Sequence, residues 1–585
     1  MKKMFKKLAT CALATLVGVT SLAGCINVGP QGEQADRGKT QLYVSHYLGG
    51  VGNAWLTKIK TEFESLYEDY KGENGKVGVQ VMINDHKQDG ESLAEDIKGS
   101  EDEVYFTDKS RYYDTISTGS LLDISSIVTK KVDGVSLEDR MTEQQKGYYK
   151  YNDKYYALPH YESFGGLTYN KNLWNTKSLY FAKGKVPSEF STYTQANNDN
   201  PATGTVLEDY GYLPTTYTNA AGEKSAGPDG KYGTFDDGMP ATYEEFFVLC
   251  DYMVTKQVTP FTWTGRFGKA YMHYLFNSLW ADVDGAQSVS TCYGLSSNSF
   301  KVVTNAEVKS DSNGFVKDEL SFENVTINDL TGYKTYQTEG MYRAYEFVCK
   351  MVSDSSYYST KLTAGQSHYH TDAQREYVLS EFEPEKWNGG KAIAMLVEGN
   401  YWENETRDAT IFNELPGGRT AEDVSYAHMP IPKVDESRIG TKNVIVEAQQ
   451  NISFIKGNIA DNKKQLALDF LEYCYSEAKL KEFTEITGVT RGLNYDLDSL
   501  SGVGMTDYAK SLIEYKKNAD VVYLVSGNPV YTNNQSYFTY RFSLKGYDYA
   551  FDYIYDEKPT ALQVFNKLKE KRNESTWKST LGLNG

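Results

Sequence analysis

QLYVSHYLGGVGNAWLTKIKTEFESLYEDY, residues 41–70, decides the architecture. Its opening QLYVSHY reads as a strand entering the fold. From Asn53 onward the apolar positions Leu56, Ile59, Phe63, Leu66 and Tyr70 recur at spacings of three and four, which predicts a helix with one buried face. VGVQVMI (77–83) then alternates at Val77, Val79, Val81 and Ile83 and reads as a second strand. A helical pattern around 88–98 and a third strand, EVYFT (103–107), complete the run. Strand–helix–strand–helix–strand implies a parallel sheet with crossover helices, an α/β fold. Ligands bind such sheets beyond the carboxyl ends of the strands, which here hold Tyr47 to Asn53 and Asp108 to Tyr112.

Upstream, Lys2, Lys3, Lys6 and Lys7 precede an apolar run from Leu8 to Leu22, too short for a membrane span. The ending Leu22-Ala23-Gly24-Cys25 is similar to the lipobox of bacterial lipoproteins, the alternative being a plain secretory signal with a chance cysteine. The expectation is a signal peptide over 1–24, removed, and a lipidated Cys25 whose acyl chains (palmitate among them) hold the chain on the outer face of the cell membrane. Residues 25–40 are polar, contain glycine and lack periodicity, so they read as a flexible stalk. No later segment is apolar enough to span a bilayer.

The formal charge of −17 becomes more negative once a leader with four lysines and no acids is removed, which argues against nucleic acid as a partner. Of the six cysteines, Cys250, Cys292, Cys349 and Cys474 lie far apart, with no CxxC and no zinc-ligand spacing. They are expected to be buried thiols, one disulfide remaining open. The 48 tyrosines suit surfaces that grip something both apolar and wet. Segments 176–240 and 283–335 break the α/β rhythm and read as polar insertions; helical texture returns over 336–352, 372–382 and, most strongly, 462–477.

Five motifs then fall in order: Leu121-Leu122-Asp123-Ile124, YALPHYESFGGLTYNK (156–171), GKAIAMLVEGNYW (390–402), YAHMPIPK (426–433) and ADNKKQLALDFLEY (460–473). Together they resemble the extracellular solute-binding proteins of sugar ABC transporters, the maltose-binding-protein-like class. The resemblance covers nearly all of 41–580. It implies a two-lobe fold of type II, each lobe a mostly parallel sheet flanked by helices, with the ligand cleft between them. The first lobe would hold mainly 41–158 plus a later segment, and the second mainly 165–430 plus C-terminal helices. It further implies a carbohydrate ligand, an ABC permease with its ATPase as partners, and a monomer. In this family the segment ending in Tyr169-Asn170-Lys171 carries the chain from one lobe to the other, which places Tyr161 and Glu162 at the cleft and gives Gly165 and Gly166 the work of a hinge.

A pyranose offers an apolar CH face and a rim of hydroxyls. Covering about 100 Å² of that face at about 25 cal/mol per Å² is worth about 2–3 kcal/mol, and carboxylates, amides or Arg then orient the rim. Four stretches supply this mixture: 260–280 with Trp263, Arg266, Tyr271 and Trp280; 397–402 with Glu398, Tyr401 and Trp402; 487–494 with Arg491; and 528–538 with Tyr531, Asn533 and Tyr537. Trp263 and Trp402 are the favoured platforms because turn residues and charged side chains flank both, the alternative for each being a core position. GPDGKYGTFDDG (227–238) is similar to calcium turns of extracellular repeats, with Asp229, Asp236 and Asp237 as ligands; the alternative is a solvated turn. No other cofactor is required, and His368 and His370 read as surface residues heading a helix.

HExxH, GxSxG and the P-loop pattern are all missing. The expectation is therefore a lipid-anchored receptor that captures an oligosaccharide and delivers it to an importer, without catalysis. A surface-tethered glycoside hydrolase and a glycan-binding adhesin are the alternatives.

Overall fold

The computed structural model describes residues 33–47, 49–85, 93–107, 112–183, 224–309, 315–359, 361, 367–447, 449–534, 537–538 and 543–583. Cys25, the leader, much of the stalk, Asp108 and part of the first insertion lie outside them.

The first lobe is built on β1 (Thr40–His46), β2 (Val79–Asn84) and β3 (Val104–Thr107), with β1 parallel to both neighbours. β1 is buried on both faces, as expected of a central parallel strand, so it shows no polar alternation. The crossover helix Ala54–Leu66 buries Leu56, Ile59 and Phe63 at the expected spacing, with Trp55 beside them. After the small hairpin β4 (Lys150–Tyr151) and β5 (Lys154–Tyr155), β6 (Ala157–Pro159) closes the sheet. It does so through a strand that returns from far along the chain, β14 (Ile452–Ile455), giving the order β2-β1-β3-β14-β6.

The second lobe carries β7 (Gly165–Asn170), β8 (Val258–Thr262), β11 (Ala392–Gly399) and β12 (Tyr426–Met429) in the order β12-β7-β11-β8. Here the expected mostly parallel sheet is mixed: β7 runs antiparallel to both its neighbours and only β11 and β8 are parallel. The chain enters this lobe at β7 directly from β6 of the first sheet. The second insertion holds a long antiparallel pair, β9 (Asn298–Glu307) and β10 (Glu319–Ile327). Against the sheet lies helix Gly268–Asp284, buried over most of its length and packed on helix Glu339–Ser353. β13 (Asn443–Glu447) pairs in parallel with β15 (Ala519–Tyr523), and β14 (Ile452–Ile455) carries the chain back to the first lobe. Helix Asp461–Cys474 buries Leu466, Phe470, Leu471 and Cys474 as its periodicity predicts. The four described cysteines are free thiols, and among the described residues no helix is long and apolar enough to cross a membrane.

Candidate ligand site between the two lobes

Three crossing segments meet between the sheets: 160–164, 449–451 and the loop after helix Glu477–Thr487. Amides tie them together. His160 N donates to Asn451 O at 2.8 Å, Asn451 Nδ2 to Tyr161 O at 3.1 Å, Glu162 N to Thr490 O at 2.9 Å and Asn400 Nδ2 to Glu162 O at 3.1 Å. Glu162, expected at the cleft, is fully buried within this junction. Its carboxylate pairs with Lys516 Nζ and accepts from Thr490 Oγ1 and the Tyr523 hydroxyl. Gly165 carries a constraint of its own: a Cβ there would lie 2.5 Å from Glu398 O and 2.6 Å from Tyr274 Cβ. Close approach of β7 to its neighbouring strand and to helix Gly268–Asp284 requires that glycine.

Beside the junction, polar and aromatic groups converge from both lobes. The loop after β1 turns through Gly50 (φ 68°) and Gly52 (φ 65°), conformations that favour glycine. Gly50 N donates to Glu405 Oε1 of the second lobe at 3.1 Å. Gln374 Nε2 donates to Glu405 Oε2 at 3.1 Å and to Glu398 Oε1 at 3.2 Å, while Glu398 Oε2 accepts from Gly399 N at 3.0 Å. Burial, and then the adjacent Glu405 charge, push Glu398 well above the usual carboxylate range. Burial likewise raises Asp408 to about 6, Glu405 adding to the shift. The Tyr401 and Tyr274 hydroxyls are 3.0 Å apart, Gln449 Nε2 donates to Tyr401 at 3.4 Å, and the Tyr161 ring meets Tyr401 edge-on at 6.3 Å.

From this cluster a strip of rings runs outward. Tyr274 contacts Tyr271 at 5.8 Å, Tyr271 lies parallel to His370 at 6.5 Å, His370 contacts Phe267 at 6.1 Å and Phe267 contacts Tyr369 at 6.0 Å. Arg266 caps the strip, stacking 4.6 Å over Tyr369 and donating to its hydroxyl at 2.8 Å. The outer ring, Tyr369, is exposed.

Of the residues expected at the site, Tyr161, Glu398 and Tyr401 come together, with Arg266 and Tyr271 along the strip. Tyr47 packs against Gly49 in the flanking loop, and Asn53 Oδ1 accepts from His46 Nδ1 at 2.6 Å. The two favoured tryptophans do not line it. Trp402 is fully buried among Tyr377, Tyr426 and Tyr508, and Trp263 among Tyr358, Phe551 and Tyr555. Each ring fills the core because the turn beside it directs the side chain inward. Trp280 is buried too, its Nε1 donating to Asp284 at 2.8 Å. Arg491 is buried in the first lobe. Tyr531 is buried, its hydroxyl donating to Leu524 O at 2.8 Å and accepting from Gln450 Nε2 at 2.9 Å. Gln374, Glu405, Tyr274 and Gln449 were not expected. Helical spacing was the available signal: Gln374 lies one turn after His370, Glu405 one turn after Tyr401, and Tyr274 three residues after Tyr271.

In the 227–238 turn the three carboxylates face the turn's own donors. Asp229 accepts from Lys231 N (2.7 Å), Asp236 from Asp229 N (2.8 Å) and Thr234 Oγ1 (2.8 Å), and Asp237 from Gly233 N (2.8 Å) and Thr234 N (3.2 Å). Burial raises Asp236 to about 6, with Asp229 contributing. Among the described residues no three His, Cys, Asp or Glu side chains are grouped to hold a metal ion.

No protein-family model matches the chain, and no curated protein matches its sequence. Solved structures do match in shape. A chitin oligosaccharide binding protein aligns with a TM-score of 0.52 at 14% identity, over 92% of this chain and 99% of that one. The SBP RafE in complex with raffinose and the maltose-bound MalE3 of T. maritima each give a TM-score of 0.49. Their identities are 13% and 12%, over 93% and 91% of this chain and 100% and 99% of theirs. Identity this low speaks to fold alone, and the fold is the mixed α/β, two-lobe architecture of solute-binding proteins.

Proposed function

We propose that this protein is a carbohydrate receptor that binds an oligosaccharide between its lobes and passes it to an ABC importer, without cleaving it. The observation that carries the reading is the inter-lobe cluster of Tyr161, Tyr401, Tyr274, Glu398, Glu405 and Gln374, continued by the ring strip to Tyr369. Rings cover the apolar faces of sugars, while carboxylates, hydroxyls and amides serve their rims. Glu398 keeps its proton and can donate it to a ligand hydroxyl, while Glu405 beside it can accept from one. The strip extends the site well beyond one ring, which supports a chain of sugars over a monosaccharide. Likeness in fold to the chitin oligosaccharide binding protein supports the same reading. Lipid anchoring at Cys25 and delivery to a permease complete the proposal; they rest on the leader's sequence and the five motifs.

The test is calorimetric titration of the protein lacking residues 1–25 with starch-, plant- and chitin-derived oligosaccharides, followed by chromatography of the recovered sugar. One-to-one binding of intact sugar, weakened at least about tenfold (~1.4 kcal/mol) by Tyr401→Ala and by Tyr161→Ala, is the expected result. Shortened sugar would make the protein a hydrolase. Binding unaffected by both substitutions would place the site elsewhere.

A further inference from the structure

Arg491 is fully buried, and among the described residues no carboxylate pairs with it. Its guanidinium lies among aromatic faces: Phe483 at 3.8 Å, Trp55 at 4.5 Å, Tyr475 at 4.9 Å and Phe106 at 5.8 Å. Such faces stabilise the cation through its π-surface, but they accept none of its in-plane hydrogens. One edge does find acceptors, Nη1 meeting His160 Nδ1 and lying 3.3 Å from His160 O. The opposite edge, Nε and Nη2, finds none. Those two N–H groups point the same way and form the fork with which arginine grips an anion.

The neighbours add donors rather than acceptors. A guanidinium has no lone pair to offer, so His160 Nδ1 accepts from Nη1, and the single hydrogen of the neutral ring sits on Nε2. Burial and the Arg491 charge keep that ring neutral. His160 Nε2 is buried without a partner, and so is Trp55 Nε1, a donor on a ring that lies beneath the guanidinium. The surroundings of one buried cation thus hold two unpartnered donors of its own and two more on the rings that touch it. Glu162, two positions after His160, is engaged by Lys516, Thr490 and Tyr523. Burying a charge and several N–H groups without acceptors is strongly unfavourable.

We infer that the open edge of Arg491 holds a small monovalent anion of halide size, a structural site in the first lobe next to the crossing segments. Full burial of the arginine limits the ligand to one or a few atoms; the unpartnered donors require that it carry lone pairs, and the buried positive charge favours a negative one.

The test uses the full protein. Crystals grown in sodium bromide are expected to give an anomalous peak within about 3.5 Å of Nε and Nη2. In solution the melting temperature is expected to rise by about 2–4 °C when chloride replaces gluconate at equal ionic strength. Arg491→Met abolishes that rise. Trp55→Phe, which keeps a ring but removes the Nε1 hydrogen, reduces it and stands as the second test if the arginine variant does not fold. Equal melting temperatures in chloride and gluconate, with no bromide peak, would overturn the inference in favour of internal water. A bromide peak without a melting response means binding at crystal concentration only and overturns it too. A response to formate but not to halide would overturn the halide assignment.

Discussion

Burial, then the neighbouring Glu162 charge, push Glu447 up to about 8, although it accepts N–H groups from Gln449 (3.1 Å) and Gln450 (3.3 Å). The folded chain therefore keeps that proton at neutral pH, while the unfolded chain releases it above about 4.5. Below about 4.5 both states are protonated and the group contributes no pH dependence. From there to about 8 unfolding releases a proton, so stability falls as pH rises; above about 8 the loss is complete. Glu447→Gln, which resembles the protonated acid, is expected to remove that slope and to gain a few kcal/mol over the parent at pH 8. Urea denaturation of both proteins at pH 5 and pH 8 checks it; parallel pH profiles would show that Glu447 is ionised in the fold. Trp402 presents a different case at this scale. Its flanking Glu398, Tyr401 and Gly399 have the composition of a sugar platform, but composition does not fix the direction of a side chain. In the structure Tyr401 faces the site and Trp402 the core. Trp402→Ala is thus expected to cost about 3–5 kcal/mol of unliganded stability, read by chemical denaturation. A loss of affinity with stability intact would return Trp402 to the site.

Helices were legible from residue spacing because one face of each is buried, as in Ala54–Leu66 and Asp461–Cys474. The second sheet was less so: β7 and β11 are buried along their whole length and carry no alternation that reveals direction. The meaning of Gly165 was hidden for a related reason, since nothing local announces that helix Gly268–Asp284 will press against it. Gly165→Ala forces a Cβ onto Glu398 O and Tyr274 Cβ, both part of the site's framework. A cost of about 1–3 kcal/mol is expected, together with weaker ligand binding. Gly166→Ala is the control, because its new Cβ would meet nothing nearer than 3.6 Å. Equal effects from the two substitutions, measured by thermal unfolding and calorimetry, would remove close packing as the explanation. The 227–238 turn makes the complementary case. Its carboxylates satisfy their own turn's N–H groups, so chelation by EGTA is expected to shift the melting temperature by less than about 1 °C. A fall of several degrees would show a calcium ion bracing the turn.

Across the whole molecule, the site exists only where distant segments meet. Gly50 and Glu405 are 355 positions apart in sequence, and Gln374 reaches Glu398 and Glu405 from a separate helix. No local pattern encodes such a meeting. What the sequence does carry is the framework that causes it: the β1 loop with its glycines, the crossing at 160–164 and the turn at Asn400. Where the lobes meet, the backbone approaches closely, since a Cβ on Gly52 would lie 2.6 Å from Asp408 Oδ2. A ligand would favour an arrangement with these contacts only as far as it binds that form better than a more open one. Gly52→Leu should therefore act as a wedge. The side chain adds left-handed backbone strain at φ 65°, on the order of 1 kcal/mol, and fills space that closure needs. The expected outcome is an affinity for sugar at least about tenfold lower, with ligand expected to reduce the radius of gyration of the parent in small-angle scattering but not that of the variant. If the variant binds and compacts like the parent, the contact between Gly52 and Asp408 is incidental, and closure of the lobes is governed by the crossing segments alone.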